Sequence, residues 1–172
     1  SALTANACNG ETRPVIQARL VPLGKLSIGR TTIITASSNN KILFAGGYSY
    51  VMDDTGIPMR RIDIYDINSN TWSIKDLAEY PTWRADMGIA TSGNKVLIAG
   101  GGFWGDDIYT AQVDIYNGSE DSWSSASLSE GRSGTIGVSA TNKVLFAGGY
   151  GWFNNGSDHW SNAVDIYDNS TN

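Results

Sequence analysis

Cysteine and histidine are almost missing: Cys8 and His159 are the only ones among 172 residues. A single cysteine cannot form an internal disulfide, and it leaves the redox compartment open. A zinc site built from several His or Cys is excluded, and a Cys–His nucleophile pair would need the N-terminal tail to reach His159. Positive charge is scarce too: 12 Lys and Arg face 17 Asp and Glu, for a formal net charge of -5. A nucleic-acid partner requires a cationic face, so none is expected. No apolar run approaches the ~20 residues of a membrane-spanning helix, so no membrane insertion is expected. The small-x-small segment Ala5-Asn6-Ala7 has the form that signal peptidases cut. No basic and apolar stretch precedes it, so localisation stays open, with secretion or the periplasm as what that segment supports.

Turn formers and strand formers are abundant instead: 20 Gly and 18 aromatics (8 Tyr, 6 Trp, 4 Phe). That mixture suits short strands joined by tight turns, an all-β chain. The strands come as a repeat. Lys41-Ile42-Leu43-Phe44-Ala45-Gly46-Gly47 returns at Lys95–Gly101 and at Lys143–Gly149, 54 and 48 residues apart. Behind it Ile62-Asp63-Ile64-Tyr65 returns at Val113–Tyr116 and Val164–Tyr167, each step 51 residues. Trp72 and Trp123 follow their tyrosines by seven residues, and Arg30, Arg84 and Arg132 open the three copies. Each copy reads as four strands: a small alternating one (32–36, 86–90, 135–140), an apolar one ending in Gly-Gly, the Asp-Ile-Tyr strand, and one opening at Trp. A four-stranded unit of about 50 residues is a propeller blade.

Apolar strand, Gly-Gly, Tyr, an Asx-rich turn, then Trp: this pattern resembles the kelch repeat, and it covers about residues 30–172. The resemblance implies a β-propeller of four-stranded antiparallel kelch blades, about three in this chain, in a fold that also includes galactose-oxidase-like propellers. It implies that the glycines let strands approach closely and that Tyr and Trp pack between blades. The copper oxidases of this kind use a His pair and a Cys-bonded Tyr. One His, with Cys8 outside the repeats, cannot supply these, and no cofactor is expected.

The resulting organisation is a tail at 1–13, an outer strand at 14–29 that completes another blade, blades at 30–83 and 84–131, and a third at 132–172 without its outer strand. Leu26-Ser27-Ile28-Gly29-Arg30 matches Leu128–Arg132, which puts Val21 at the position of Trp123. Three blades fall short of the roughly 4–8 of known propellers. The expected partner is therefore a second copy, forming a six-bladed ring by exchange of the outer strand, or the remaining blades of a longer propeller.

Chemistry is expected in the stretches between second and third strands, 48–60, 102–112 and 150–163. They hold nine of the 18 aromatics: Tyr48, Tyr50, Phe103, Trp104, Tyr109, Tyr150, Trp152, Phe153 and Trp160. Aligned on Gly-Gly, Tyr50, Trp104 and Trp152 share one position, accompanied by Asp53, Asp54, Asp106, Asp107, Asn154, Asp158 and His159. Aromatic faces beside carboxylates and amides are what a glycan requires, since the apolar sugar face stacks while polar groups take the hydroxyls. Packing of loop on loop, or a subunit interface, needs the same residue types. The reading is thus a lectin-like carbohydrate-binding propeller. A sugar-modifying enzyme resembling the sialic acid mutarotases and a protein-interaction scaffold are the alternatives. Asp63, Asp114 and Asp165 with the three arginines read as inter-blade ion pairs or hydrogen bonds. Asp66-x-Asn68-x-Asn70 has calcium-loop spacing without the later Glu, and reads as a turn.

Overall fold

The computed structural model describes residues 5–6, 12–13, 20–49, 57–77, 84–103, 108–153 and 157–171. Every regular element among them is a strand, and all strand pairs are antiparallel. A short ribbon of β1 (Ala5–Asn6) and β2 (Thr12–Arg13) comes first. Then follow β3 (Ile34–Ser38), β4 (Lys41–Ala45), β5 (Tyr48–Ser49), β6 (Ile57–Pro58), β7 (Arg61–Asp66) and β8 (Thr71–Asp76). Of these, β3-β4-β7-β8 make sheet one, and β5-β6 make a hairpin leaving it.

The same order recurs in β9 (Gly88–Ser92), β10 (Lys95–Ala99), β11 (Gly102–Phe103), β12 (Ile108–Tyr109), β13 (Gln112–Asn117) and β14 (Ser122–Ser127), where β9-β10-β13-β14 form sheet two. Sheet three has three strands: β15 (Ile136–Ala140), β16 (Lys143–Ala147) and β19 (Val164–Asp168), with β17 (Tyr150–Phe153) and β18 (Ser157–Trp160) as its hairpin.

Residue type explains where the strands start and turn. The first strands begin at Ile34, Gly88 and Ile136, up to two residues later than sequence spacing suggests. The reason is a left-handed residue two positions after each arginine: Thr32 (φ 55), Asp86 (φ 52) and Gly134 (φ 67). The β7–β8 turn is held by Asp66, whose Oδ1 accepts the amides of Asn68 (2.9 Å) and Ser69 (3.1 Å). Asn70 takes φ 57 there, and its Oδ1 accepts the Tyr65 hydroxyl at 2.7 Å. Both oxygens thus serve the hairpin itself, as the turn reading expected.

Sheet two is sandwiched. On one face Val96, Ile98, Tyr116 and Met87 pack with Leu43, Ala45, Ile62 and Ile64 of sheet one. On the other, Leu97, Ala99, Val113 and Ile115 pack with Val144 and Phe146 of sheet three. Alternation along β10 therefore buries every side chain from Val96 to Ala99. Each of its large apolar residues contributes about 1.5–3 kcal/mol. Tyr65 faces Trp72 across β7–β8 with ring centroids 5.0 Å apart, and Tyr116 faces Trp123 across β13–β14 at 4.9 Å. The second pair lies at the contact between sheets one and two.

The Gly-Gly turns are where one sheet meets the next. Gly100 (φ +65) sits so close to the following unit that a methyl group on it would lie 2.4 Å from Arg132 O, and the Gly101 N–H donates to that same carbonyl at 2.8 Å. Only glycine fits both the left-handed backbone and this approach.

Candidate functional site

The three hairpins leave their sheets at the same end, directly after Gly-Gly, and each is pinned at its base. Single bridges join Thr31 to Tyr48, Ala85 to Gly102 and Ser133 to Tyr150. The residues after each arginine thus fix where each hairpin begins.

Among the described side chains the hairpin face carries an aromatic ladder. Tyr109 meets Tyr150 edge-on at 5.7 Å (78°), and Tyr150 meets Trp160 edge-on at 5.1 Å (63°). These geometries suit the aromatic quadrupole. The ladder crosses from the unit-two hairpin to the unit-three hairpin, so Tyr109 and Tyr150 do the loop-on-loop packing. Trp160 ends it with 77% of its surface exposed. On the sheet-one side the Tyr48 hydroxyl donates to Asp86 Oδ2 at 3.0 Å, another link between neighbouring units.

Of the residues singled out from sequence, Tyr50, Asp53, Asp54, Trp104, Asp106, Asp107 and Asn154 lie outside the described residues. Trp152, Asp158 and His159 are described as strand positions: Trp152 pairs with Asp158, Gly151 with His159, and Tyr150 with Trp160. The hairpin register therefore brings Trp152, Asp158, His159 and Trp160 within three consecutive rungs.

No family model matches the chain, and no curated protein is significantly similar to it.

Beneath the hairpins the three arginines do the same job three times. Their side chains are fully buried. Nε donates to the first glycine carbonyl of the turn: Arg30 to Gly46 (2.8 Å), Arg84 to Gly100 (2.7 Å) and Arg132 to Gly148 (2.9 Å). A terminal nitrogen meets the aspartate of the third strand. Arg30 lies 2.7 Å from Asp63 and Arg132 2.6 Å from Asp165, and Arg84 pairs with Asp114. Each arginine bonds the glycine turn and the aspartate of its own unit, so the pairs are not the contacts between units that the sequence reading expected. They lock the arginine-bearing connector onto the sheet it enters.

That connector adds a second bond from its backbone: Ser27 N–H donates to Asp63 (2.9 Å) and Ser129 N–H to Asp165 (3.0 Å). Burial pushes the Asp63 and Asp165 carboxyls up, but the serine and arginine hydrogen bonds outweigh it and hold both below the ordinary value. Burial pulls the Arg84 guanidinium down, countered in part by Asp114. Such buried, charge-assisted pairs act as framework.

At the opposite end of the sheets, the turns border an open polar cleft of about 540 Å³ lined by Asn39, Asn40, Lys41, Asp66, Asn68 and Ser119. Nothing beyond turn composition marks it in the sequence. Gly118 belongs to the same lining. In the corresponding turn of unit three, Asn169 extends its amide to Ser92 O (3.4 Å).

Proposed function

We propose that the chain is part of a kelch-type β-propeller whose hairpin face binds a carbohydrate. The observation that carries this reading is Trp160, largely exposed at the end of a supported aromatic ladder. A rigid, pre-positioned indole offers a stacking plane at little entropic cost, and Asp158, two positions before it on β18, is the carboxylate we assign to the sugar hydroxyls. The propeller itself is supported by three sheets of like topology that stack in sequence order, with the hairpins gathered at one end. The buried, paired arginines and aspartates argue for framework over catalysis, since the same set stands in every unit and one active centre does not need three copies.

Binding to a glycan array tests the reading. The chain retains a defined set of sugars, and Trp160→Ala and Trp152→Ala each lose them by tenfold or more. Retention that survives both substitutions defeats the carbohydrate reading, and turnover of a bound sugar would move the protein to the sugar-modifying enzymes.

A further inference from the structure

At the turn end of the sheets, one chemical difference separates otherwise like units. The lysine that opens each second strand pairs across the sheet with the last residue of the third: Lys41 with Asp66, Lys95 with Asn117 and Lys143 with Asp168. In units one and three the pair is ionic, with Lys41 Nζ 3.5 Å from Asp66 Oδ2 and Lys143 bonded to Asp168. Unit two has an amide in that place, and its lysine turns away. Lys95 Nζ donates instead to the Tyr167 hydroxyl of unit three, at 2.7 Å. Tyr116, the residue equivalent to Tyr167, receives no such bond from Lys41 and gives its own hydroxyl to Asp121.

The turn itself suits a carboxylate. Asp168 Oδ1 accepts the amide and hydroxyl of Ser170 (2.9 and 2.6 Å), and Asn117 Oδ1 accepts those of Ser119 (3.1 and 2.7 Å), as Asp66 Oδ1 accepts its two amides. Only the oxygen of Asn117 is used: its Nδ2 has no hydrogen-bond partner among the described residues. Ser69 holds the Asp66 carboxyl below its ordinary value, and Lys143 with Ser170 does the same for Asp168. Asn117 is followed by Gly118, whose backbone nitrogen no Cβ shields. The two Ser119 donors draw electrons from Asn117 Cγ and are placed to carry negative charge developing on Oδ1. One bond stands against attack by that nitrogen: Gly118 N–H donates to Asn94 O at 2.8 Å. It lies beside the exposed Ser119 and Glu120, where a turn opens at small free energy.

We propose that Asn117–Gly118 is a self-modifying site, where the asparagine converts to the aspartate that the other two units carry and Lys95 moves from Tyr167 to the new carboxylate. When the turn opens, the Gly118 nitrogen loses its proton and attacks Asn117 Cγ. The N–Cγ bond forms, the Cγ–Nδ2 bond breaks, and Nδ2 takes up a proton and leaves as ammonia. Water then opens the cyclic imide at Cγ, which restores the Gly118 peptide and leaves a carboxylate at residue 117. Opening at the other carbonyl gives isoaspartate, whose longer backbone does not fit the Asn117–Ser122 pairing of β13 with β14. The aspartate product fits the turn as Asp66 does and draws Lys95 into an ion pair within its own unit. The bond from unit two to Tyr167 of unit three is lost in exchange. The step consumes only water, and it is independent of what the hairpins bind.

Ageing the folded chain in mildly alkaline buffer, followed by trypsin and mass spectrometry, reads the step directly, because the peptide 96–132 holds Asn117 as its only asparagine. That peptide should gain the mass of amide-to-acid conversion at least about tenfold faster than peptide 62–75, whose Asn68 and Asn70 precede Ser69 and Thr71. Ser119→Ala removes one donor from Oδ1 and should slow the gain several-fold. Asn117→Asp installs the product. Tyr167→Phe should lower the urea midpoint of the wild-type chain and leave that of the Asn117→Asp chain unmoved. Equal rates for the two peptides overturn the modification site, and an unchanged rate in Ser119→Ala overturns the part given to its hydroxyl. Equal midpoint losses in both backgrounds overturn the transfer of Lys95.

Discussion

Gly100 and Gly134 hold nearly the same left-handed backbone, φ +65 and +67, and differ in what stands over them. A methyl group on Gly134 meets nothing within 4 Å among the described residues, so Gly134→Ala carries only the left-handed penalty of an L-residue, about 1 kcal/mol. On Gly100 the methyl meets Arg132 O at 2.4 Å. Restoring an ordinary contact moves two packed backbones apart by about 1 Å. That shift costs about 1–3 kcal/mol in strain and repacking. It also loosens the Gly101–Arg132 hydrogen bond, a buried loss of about 1–3 kcal/mol. Gly100→Ala should therefore destabilise by about 3–7 kcal/mol, at least about 2 kcal/mol more than Gly134→Ala. Urea denaturation followed by tryptophan fluorescence and far-UV circular dichroism measures the difference. With a slope near 2 kcal/mol/M the midpoints separate by about 1 M or more. Equal midpoints for the two variants would refute the idea that the Gly-Gly turn is the seat of the next unit.

Three further outcomes follow from the same geometry. Arg84→Leu leaves the Asp114 carboxylate buried without its cation and should cost about 3–5 kcal/mol in the same urea experiment; a loss below about 1 kcal/mol would contradict the pairing. Because the carboxyls of Asp63 and Asp165 are depressed in the folded state, their stabilisation is complete above the ordinary carboxylate range. It is lost as the pH falls below about 4, through their folded-state values. Asp165→Asn should flatten that acid limb in a thermal-melt series, and an unchanged slope would count against it. Thr32 is a β-branched residue at φ 55 and largely exposed, so Thr32→Gly should raise stability by about 0.5–1 kcal/mol, read as a higher urea midpoint.

The second and third strands were legible in the sequence because their burial leaves a dense signal: a run that is apolar on both faces, closed by Gly-Gly, and a Tyr seven residues ahead of a Trp. The first strands were displaced because a threonine at positive φ runs against its own propensity; only the glycine at position 134 announced the left-handed turn. The arginines and aspartates were picked out by recurrence, yet sequence distance cannot say whether a partner lies in the same sheet or the next. The structure settles it through the Gly carbonyls that the guanidinium also holds. For the candidate site, composition marked the hairpins as aromatic. Composition cannot separate an indole that packs from one that faces solvent. Tyr109 and Tyr150 pack, and Trp160 ends the ladder in the open.

Everything proposed for the hairpin face depends on the sheets stacking head to tail through the glycine turns. Amide hydrogen exchange at Gly101 tests that most directly, because its N–H donates to Arg132 O in the next unit and to nothing in its own sheet. The account predicts protection there matching that of the β10 amides, lost only with global unfolding. Exchange at Gly101 near the rate of an open turn, while β10 stays protected, would contradict it.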